Sequence, residues 1–380
     1  MNNSRIYRPT YVETDLSGIR KNFTKIRQKT GVKVMPVVKA NAYGHGAKQV
    51  VRALIEEGAE IFGVATIEEG IELRQYYPEI SILILGSVFP FENYDCVAEN
   101  NLIPVVASRV SAQNFEKSAR KYDKKIPFHL KVDTGMGRIG VKPESALDLW
   151  SDLKSSEYLI GEGICTHLAC ADEDPHFTRT QLIKFNRVIN SIEDKPPYIH
   201  AANSAGIINF NKTHFTLVRP GLAIYGLYPD NVDRKDFPLN SVLSWKSKVI
   251  FIKEVAKGTQ ISYCGTWKAP RKSVIGTIPV GYADGYQRRL SNIAQVLIKG
   301  KRCPVIGRVC MDMIMVDLTD LKNIRTGEDV TLIGQGGEER ITAEEMAEWA
   351  DTINYEITTG ISSRVPRIFK HEQAQIETDY

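Results

Sequence analysis

The sequence predicts an α/β protein: a (β/α)8 TIM barrel followed by a mostly β C-terminal domain. Two patterns carry that expectation. From Lys33 to about Gly226, eight short apolar runs alternate with amphipathic helical stretches; eight strand–helix units are the number that closes a parallel barrel. Beyond Gly226 the apolar period changes to two and glycines mark the turns, as in antiparallel β structure. The expected division is 1–235 for the barrel and 236–380 for the β domain, with the first ten or so residues pairing with the second domain. A chain of 380 residues can bury two such cores.

The candidate strands are Val34–Val38, Ile61–Ala65, Ile82–Leu85, Ile103–Val106, Ile126–Val132, Leu159–Thr166, Tyr198–His200 and Thr216–Val218. Candidate helices between them are Ala47–Glu57, Ile67–Tyr76, Ser111–Lys121, Glu144–Lys154 and Phe177–Glu193. The last places Leu182, Phe185, Val188, Ile189 and Ile192 on one face, which is helical spacing. An open doubly wound sheet is the competing arrangement, but no dinucleotide glycine fingerprint follows the first strand. In the second domain the alternating runs are Val242–Val255, Ser273–Val280, Ala294–Ile298, Val309–Leu318 and Asp329–Ile333, with one helix at Ala343–Ala350.

Composition narrows the function. Hydrophobic residues at 43% and charged residues at 25% are ordinary for a globular enzyme. A formal charge of +4 spread along the chain gives no reason to expect nucleic acid or a membrane surface as partner. The six cysteines form no CxxC pair, so neither a disulfide framework nor a metal site is expected. Met1–Tyr11 is polar and lacks the apolar core of a signal peptide; a cytoplasmic protein is the expectation.

A barrel carries its working residues at the carboxyl ends of its strands, with phosphate commonly held after strands seven and eight. Strand one ends at Lys39, with Tyr43 beyond it. Strand five ends in Lys131-Val132-Asp133-Thr134-Gly135-Met136-Gly137-Arg138. Strand six ends in Thr166-His167, strand seven in His200-Ala201-Ala202-Asn203-Ser204-Ala205, and strand eight in Arg219-Pro220-Gly221. Burial lowers the pKa of a lysine and suits it to act as a Schiff-base nucleophile. Ser204, Gly221 and nearby amides form an anion cradle. A lysine, such a cradle and two arginines at one mouth point to a phosphorylated aldehyde cofactor and an anionic substrate.

The segment Lys39-Ala40-Asn41-Ala42-Tyr43-Gly44-His45-Gly46 and the motifs at 131–138, 166–167, 200–205 and 219–226 resemble those of the alanine racemase family. So do Ser262-Tyr263-Cys264-Gly265-Thr266-Trp267, Gly281-Tyr282-Ala283-Asp284-Gly285 and Val309-Cys310-Met311-Asp312. The resemblance spans nearly the whole chain. It implies that pyridoxal 5'-phosphate (PLP) is held through Lys39. Tyr43, Ser204, Gly221 and Tyr355 would bind its phosphate, with Asn203 in the same cofactor set; His167 would lie beside the ring and Arg219 would face the ring nitrogen. Arg138 and the Met311 amide would bind the carboxylate of an amino acid substrate, supported by Asp312.

Two of these implications have a physical reading. An arginine is effectively never deprotonated, so Arg219 as donor leaves the ring nitrogen unprotonated. The cofactor is then a weaker electron sink, which favours reprotonation over transamination. Racemisation needs acid/base groups on both faces of the α-carbon: Lys39 on one and Tyr263 on the other. A tyrosine titrates near pH ~10 and needs help from a neighbour; the resemblance implies a hydrogen bond from His200, with an arginine following.

The implied activity is interconversion of L- and D-alanine for peptidoglycan, by a homodimer whose active sites are shared between subunits. Lys131 so near Arg138 would repel it unless modified or screened; the resemblance implies that it is N-carboxylated, which turns a cation into an anion. Cys264 stands where relatives usually carry glycine. Alternatives are a racemase of serine or another small amino acid, a barrel-type PLP decarboxylase, and a non-catalytic PLP-binding protein. Tyr355 would crowd a larger side chain. A decarboxylase favours an acid at the ring nitrogen, and a carrier lacks the β domain.

Overall fold

The computed structural model describes residues 7–88, 93–232, 234–371 and 376–378. The chain forms two compact units: Ile19–Ala42 with Ala47–Asn240, and Met1–Gly18 with Tyr43–Gly46 and Ser241–Tyr380. The expected α/β class, a barrel followed by a mostly β portion, is the fold found.

After a first strand, β1 (Tyr11–Asp15), which belongs to the second unit, the barrel strands follow in chain order. They are β2 (Lys33–Val34), β3 (Ile61–Val64), β4 (Ser81–Ile84), β5 (Ile103–Val106), β6 (Ile126–Lys131), β7 (Leu159–Cys165), β8 (Tyr198–His200) and β9 (Leu217–Val218). Strands β3 to β8 are parallel neighbours in sequence order, and β2 pairs in parallel with β9. The ring closes through a bridge between Val37 and Gly63 and through Thr216 N to Ile199 O at 3.1 Å and Arg219 N to Ala202 O at 3.0 Å. Met35, Ile61, Leu83, Ile103, Val105, Cys165 and Leu217 fill the interior.

The first strand is more broken than its apolar run suggested. The Met35 and Val37 amides donate to Val218 O and Pro220 O, each at 2.9 Å, whereas Pro36 has no N–H to give and meets the next strand only through its carbonyl, which accepts from Gly63 N at 2.9 Å. The buried Tyr225 hydroxyl donates to Val37 O at 2.9 Å and fixes the strand end that leads to Lys39. Helices Leu16–Thr30 and Asn93–Glu99 are additions to the expected set. In the first, Leu16, Ile19, Phe23 and Ile26 recur at helical spacing and are buried.

The second unit is an eleven-stranded sheet with a separate two-stranded hairpin. The expected single run Val242–Val255 is two strands, β10 (Leu243–Lys248) and β11 (Phe251–Val255). The expectation for the first ten residues falls partly on residues 1–6, outside the described residues. From Arg8 onward the segment packs within this unit: β1 is antiparallel to β10 and parallel to Arg367–Lys370. Trp245 and Tyr286, with ring centroids 5.9 Å apart, centre the core. Asn354–Thr359 is a second helix here, too short for a periodic signal.

One buried carboxylate organises this unit. Asp284 is 0% exposed and binds Arg8 through both oxygens at 2.5 and 2.6 Å, with Arg364 Nε at 3.1 Å. Removing one member of a buried pair leaves an uncompensated group in low dielectric. Asp284→Ala is expected to destabilise this unit by on the order of 3 kcal/mol, read from the urea midpoint; a loss below about half a kcal/mol refutes the assignment.

Candidate active site

The carboxyl ends of the barrel strands gather the expected residues. Lys39 opens a turn in which Ala40, Asn41, Ala42 and Tyr43 all take positive φ, between 51° and 54°. Four consecutive non-glycine residues in the left-handed region cost on the order of 1 kcal/mol each, so something must hold them. Glu69 does much of it. Its Oε1 accepts from Ala40 N at 2.6 Å, and its Oε2 from Ala65 N at 2.8 Å. Asn41 Oδ1 accepts from Ala47 N at 2.7 Å. Burial and the Arg138 cation, opposed by Glu69, lower the Lys39 pKa.

Lys131 closes β6 and is buried. Burial, with the charges of Arg219 and Arg138, brings its amine down to about 8. Among the described residues its Nζ has no hydrogen bond or ion pair. The following loop is shaped by Asp133, whose Oδ1 accepts from Gly135 N at 2.9 Å and Gly137 N at 3.1 Å. It closes at Gly140, where φ is +143° and a Cβ would lie 2.5 Å from Asp133 N. This loop presents the exposed Arg138.

Arg219 is the buried centre of the mouth. Its Nη2 donates to Thr166 O at 2.8 Å and Ala201 O at 2.9 Å, and lies 3.4 Å from His167 Nδ1. Its Nη1 donates to His200 Nδ1 at 2.7 Å. Among the described residues no carboxylate pairs with it, and its Nε makes no hydrogen bond. Burial first, then the surrounding cations, holds His167 and His200 well below the ordinary imidazole pKa, so both are neutral.

The implied bond from His200 to Tyr263 is corrected here. Both ring nitrogens of His200 are engaged, by Arg219 and by His129 Nδ1 at 2.7 Å, and the ring is fully buried. No nitrogen remains for a phenol. His200 supports Arg219 instead, whereas His167, accepting on Nδ1, keeps its proton on Nε2.

The cradle residues adjoin one another. Ser204 Oγ accepts from Gly221 N and Ala223 N, each at 3.1 Å, so its own proton is left to donate. Asn203 caps the helix Ser204–Asn209 by accepting from Gly206 N at 2.9 Å, and its Nδ2 donates to Leu168 O.

The remaining candidates belong to the second unit. Tyr263 is 67% exposed, on a turn between strands Gln260–Ile261 and Trp267–Lys268, not an anchor inside a strand. Ser262 and Cys264 both have positive φ, 66° and 60°. That is why glycine suits position 264 and why cysteine there carries strain. Met311 is 52% exposed, and its amide has no partner among the described residues. Its carbonyl accepts from Ala283 N at 3.0 Å. Gly281 permits this approach, since a Cβ there would sit 2.3 Å from Met311 O. Asp312 pairs with Arg364 at 2.7 Å. Tyr355 is partly exposed in its helix.

Sequence reasoning missed Glu69 and Gln181. The first was readable from the capping box begun by Thr66,. Gln181, buried, donates to His167 O at 2.9 Å and Thr134 Oγ1 at 3.2 Å and pins two mouth loops; nothing in its helix marks it.

A barrel that collects amines and guanidinia at one mouth, followed in the chain by a mostly β unit, is the architecture of an enzyme that works on small anions. Family models described as the N-terminal and C-terminal domains of alanine racemase match residues 14–229 and 242–369. An alanine racemase of Halothermothrix orenii is 46% identical over 97% of this chain and 99% of its own. One from Methanococcus maripaludis is 42% identical over 96% and 99%. Among solved structures, alanine racemase of Clostridium difficile superposes with a TM-score of 0.93 at 36% identity, covering 98% of this chain and 99% of that one. The Bacillus anthracis enzyme with bound L-Ala-P gives 0.91 at 37% identity, covering 99% of each. The chain belongs to the alanine racemase family.

The neutral histidines set a pH dependence. His129, His167 and His200 have pKa values lowered on folding, so below about pH 6.5 the unfolded chain binds more protons than the folded one. Stability is therefore expected to fall as pH drops from 6.5 to 5. Each group contributes up to about 1.4 kcal/mol per pH unit. Urea titrations of the barrel at both pH values read the slope, and equal stability at the two refutes it.

Proposed function

We propose that the protein interconverts L- and D-alanine with PLP as cofactor, using Lys39 and Tyr263 as bases on opposite faces of the substrate α-carbon. The observation that carries the reading is charge. Lys39, Lys131, Arg138 and Arg219 lie close enough to perturb one another or His167, and the most buried of them has no carboxylate partner among the described residues. Such a mouth favours a phosphate and a carboxylate.

The barrel residues suit PLP. The Ser204 proton and the adjoining loop amides would meet its phosphate, together with Tyr43 and Tyr355, and Asn203 would hold the Ser204 helix in place. The unpaired Nε of Arg219 would donate to the ring nitrogen, and His167 would stand beside the ring. PLP, when bound, would supply the electrophilic carbon and electron sink that acidify the substrate Cα–H. Every other step belongs to the chain. Lys39, its pKa lowered by burial, is an amine able to attack and then to take or return a proton on its own face. Arg138 and the unpartnered Met311 amide would fix the carboxylate, while Arg364 orients Asp312 beside Met311.

We infer a homodimer in which the second unit of one subunit completes the barrel mouth of the other. The exposed Tyr263, Tyr282, Met311, Met313 and Ile353 of that unit support such a covered surface. The phenol would then enter a partner's cationic mouth.

The reading is tested by following α-deuterium incorporation and optical rotation with L-alanine and PLP in deuterium oxide. Tyr263→Phe is expected to keep the cofactor's absorbance while turnover falls by a factor on the order of 10²–10⁴; a carrier would be indifferent. A fully active monomer in sedimentation defeats the shared site.

Lys131 has an unpaired amine with a pKa of about 8, so part of it is neutral near pH 7.5 and able to add CO₂. The carbamate would face Arg138 and Arg219 with the opposite charge. A carbamate carbon resonance is expected from holoenzyme under ¹³CO₂, rising from pH 7 to 9 at fixed dissolved CO₂ and missing in Lys131→Arg. An unmodified lysine across that range overturns the modification.

A further inference from the structure

Behind Arg219 the barrel carries a histidine and a glutamate that the reaction does not use. His129 on β6 and His200 on β8 are both fully buried, and they join at 2.7 Å from Nδ1 to Nε2. On its far side His129 Nε2 faces Glu162 Oε2 at 3.6 Å. Both of those atoms are buried, and neither has a hydrogen-bond partner among the described residues. Each is therefore left with the other. Glu162 reaches partial solvent exposure, 27%, at the middle of β7.

The direction of every proton in this string is forced. A guanidinium can only donate, so His200 Nδ1 accepts from Arg219. A neutral imidazole has one N–H, so His200 carries its proton on Nε2 and donates to His129 Nδ1. His129 then carries its proton on Nε2, aimed at the carboxylate. Reversing His129 alone would set two N–H groups against each other in a dry interior, where an unsatisfied donor is costly.

The backbone is built to make this contact. In the β6–β7 ladder Phe128 pairs with Gly161 and His129 with Gly163. Glu162 is the extra residue of a bulge, a device that re-aims one side chain. Gly163 leaves room for the ring, because a Cβ there would lie 2.6 Å from His129 Nδ1. The stacked Tyr198 ring, 5.7 Å from His129 between centroids, closes the other side.

We propose that Glu162 is a positioning residue, acting through His129 and His200 to fix the proton pattern that holds Arg219 as the donor to the cofactor ring. The proposal rests on the racemase reading above. A carboxylate in contact with Arg219 would neutralise it and draw its N–H groups away from the ring. Two imidazoles away, it supports the buried cation while leaving Nε free.

The test uses holoenzyme with ¹⁵N-labelled histidine, assigned with His129→Gln and His200→Gln. In the wild type, His129 and His200 are each expected to be protonated on Nε2 and bare on Nδ1. Glu162→Leu should broaden or shift the His129 nitrogens and lower kcat about tenfold, with KM for alanine within about twofold because the carboxylate contacts are untouched. Glu162→Gln, which keeps an acceptor, should recover most of the turnover. Either wild-type ring protonated on Nδ1 overturns the proposal, and that reading needs no variant to fold. Wild-type nitrogen shifts and kcat in Glu162→Leu overturn it as well. Wild-type protein that shows the expected shifts but leaves alanine unracemised would sink the racemase reading while the string itself stands.

Discussion

A guanidinium buried without a carboxylate is the constraint from which the barrel's working end follows. Removing such a charge from water costs several kcal/mol even after relaxation, and Arg219 recovers this through two carbonyls and an imidazole. Those partners come from the ends of β7 and β8, so the strands must end in register for the cation to be tolerated. Burial first, then this charge among others, keeps His167 and His200 neutral, and burial with the charges of Arg219 and Arg138 draws the Lys131 amine down to about 8.

Backbone strain is concentrated where those side chains are displayed. The left-handed turn after Lys39 is held by Glu69 and Asn41, which satisfy backbone amides that the non-standard turn would otherwise leave bare. The turn around Tyr263 uses positive φ at Ser262 and Cys264 in a hairpin of two-residue strands. In both places a reactive side chain is presented by a backbone that a regular helix or strand could not supply.

The barrel was legible because most of its strands are largely buried and read as short apolar runs separated by helical patterns. The strand-end residues were legible because a barrel assigns them one mouth. What escaped detection depends on spatial neighbours: Gln181 is one polar residue on an otherwise ordinary helix, and the β6–β7 bulge has no local marker. His200 was read through a resemblance alone, and the geometry gives it a different partner. A histidine has two nitrogens, and only the fold says who occupies them. Cys264 shows the reverse case, since the oddity of a side chain where relatives carry glycine acquired its reason from a φ of 60°.

Added to burial, the charge pattern of the mouth lowers the proton affinity of its amines and keeps its imidazoles neutral. Each cation disfavours the charged form of the next, and Glu69 and Asp133 offset this only in part, so the cluster shifts its titratable members towards their basic forms. Those are the forms needed for nucleophilic attack and proton removal. An anion entering the mouth would relax this pressure: a phosphate or carboxylate beside Lys39 raises its proton affinity again, and an amine that has gained a proton can hand it back. The electrostatics that recruit the anions and the acid/base cycle of the lysine are therefore one effect, seen before and after binding.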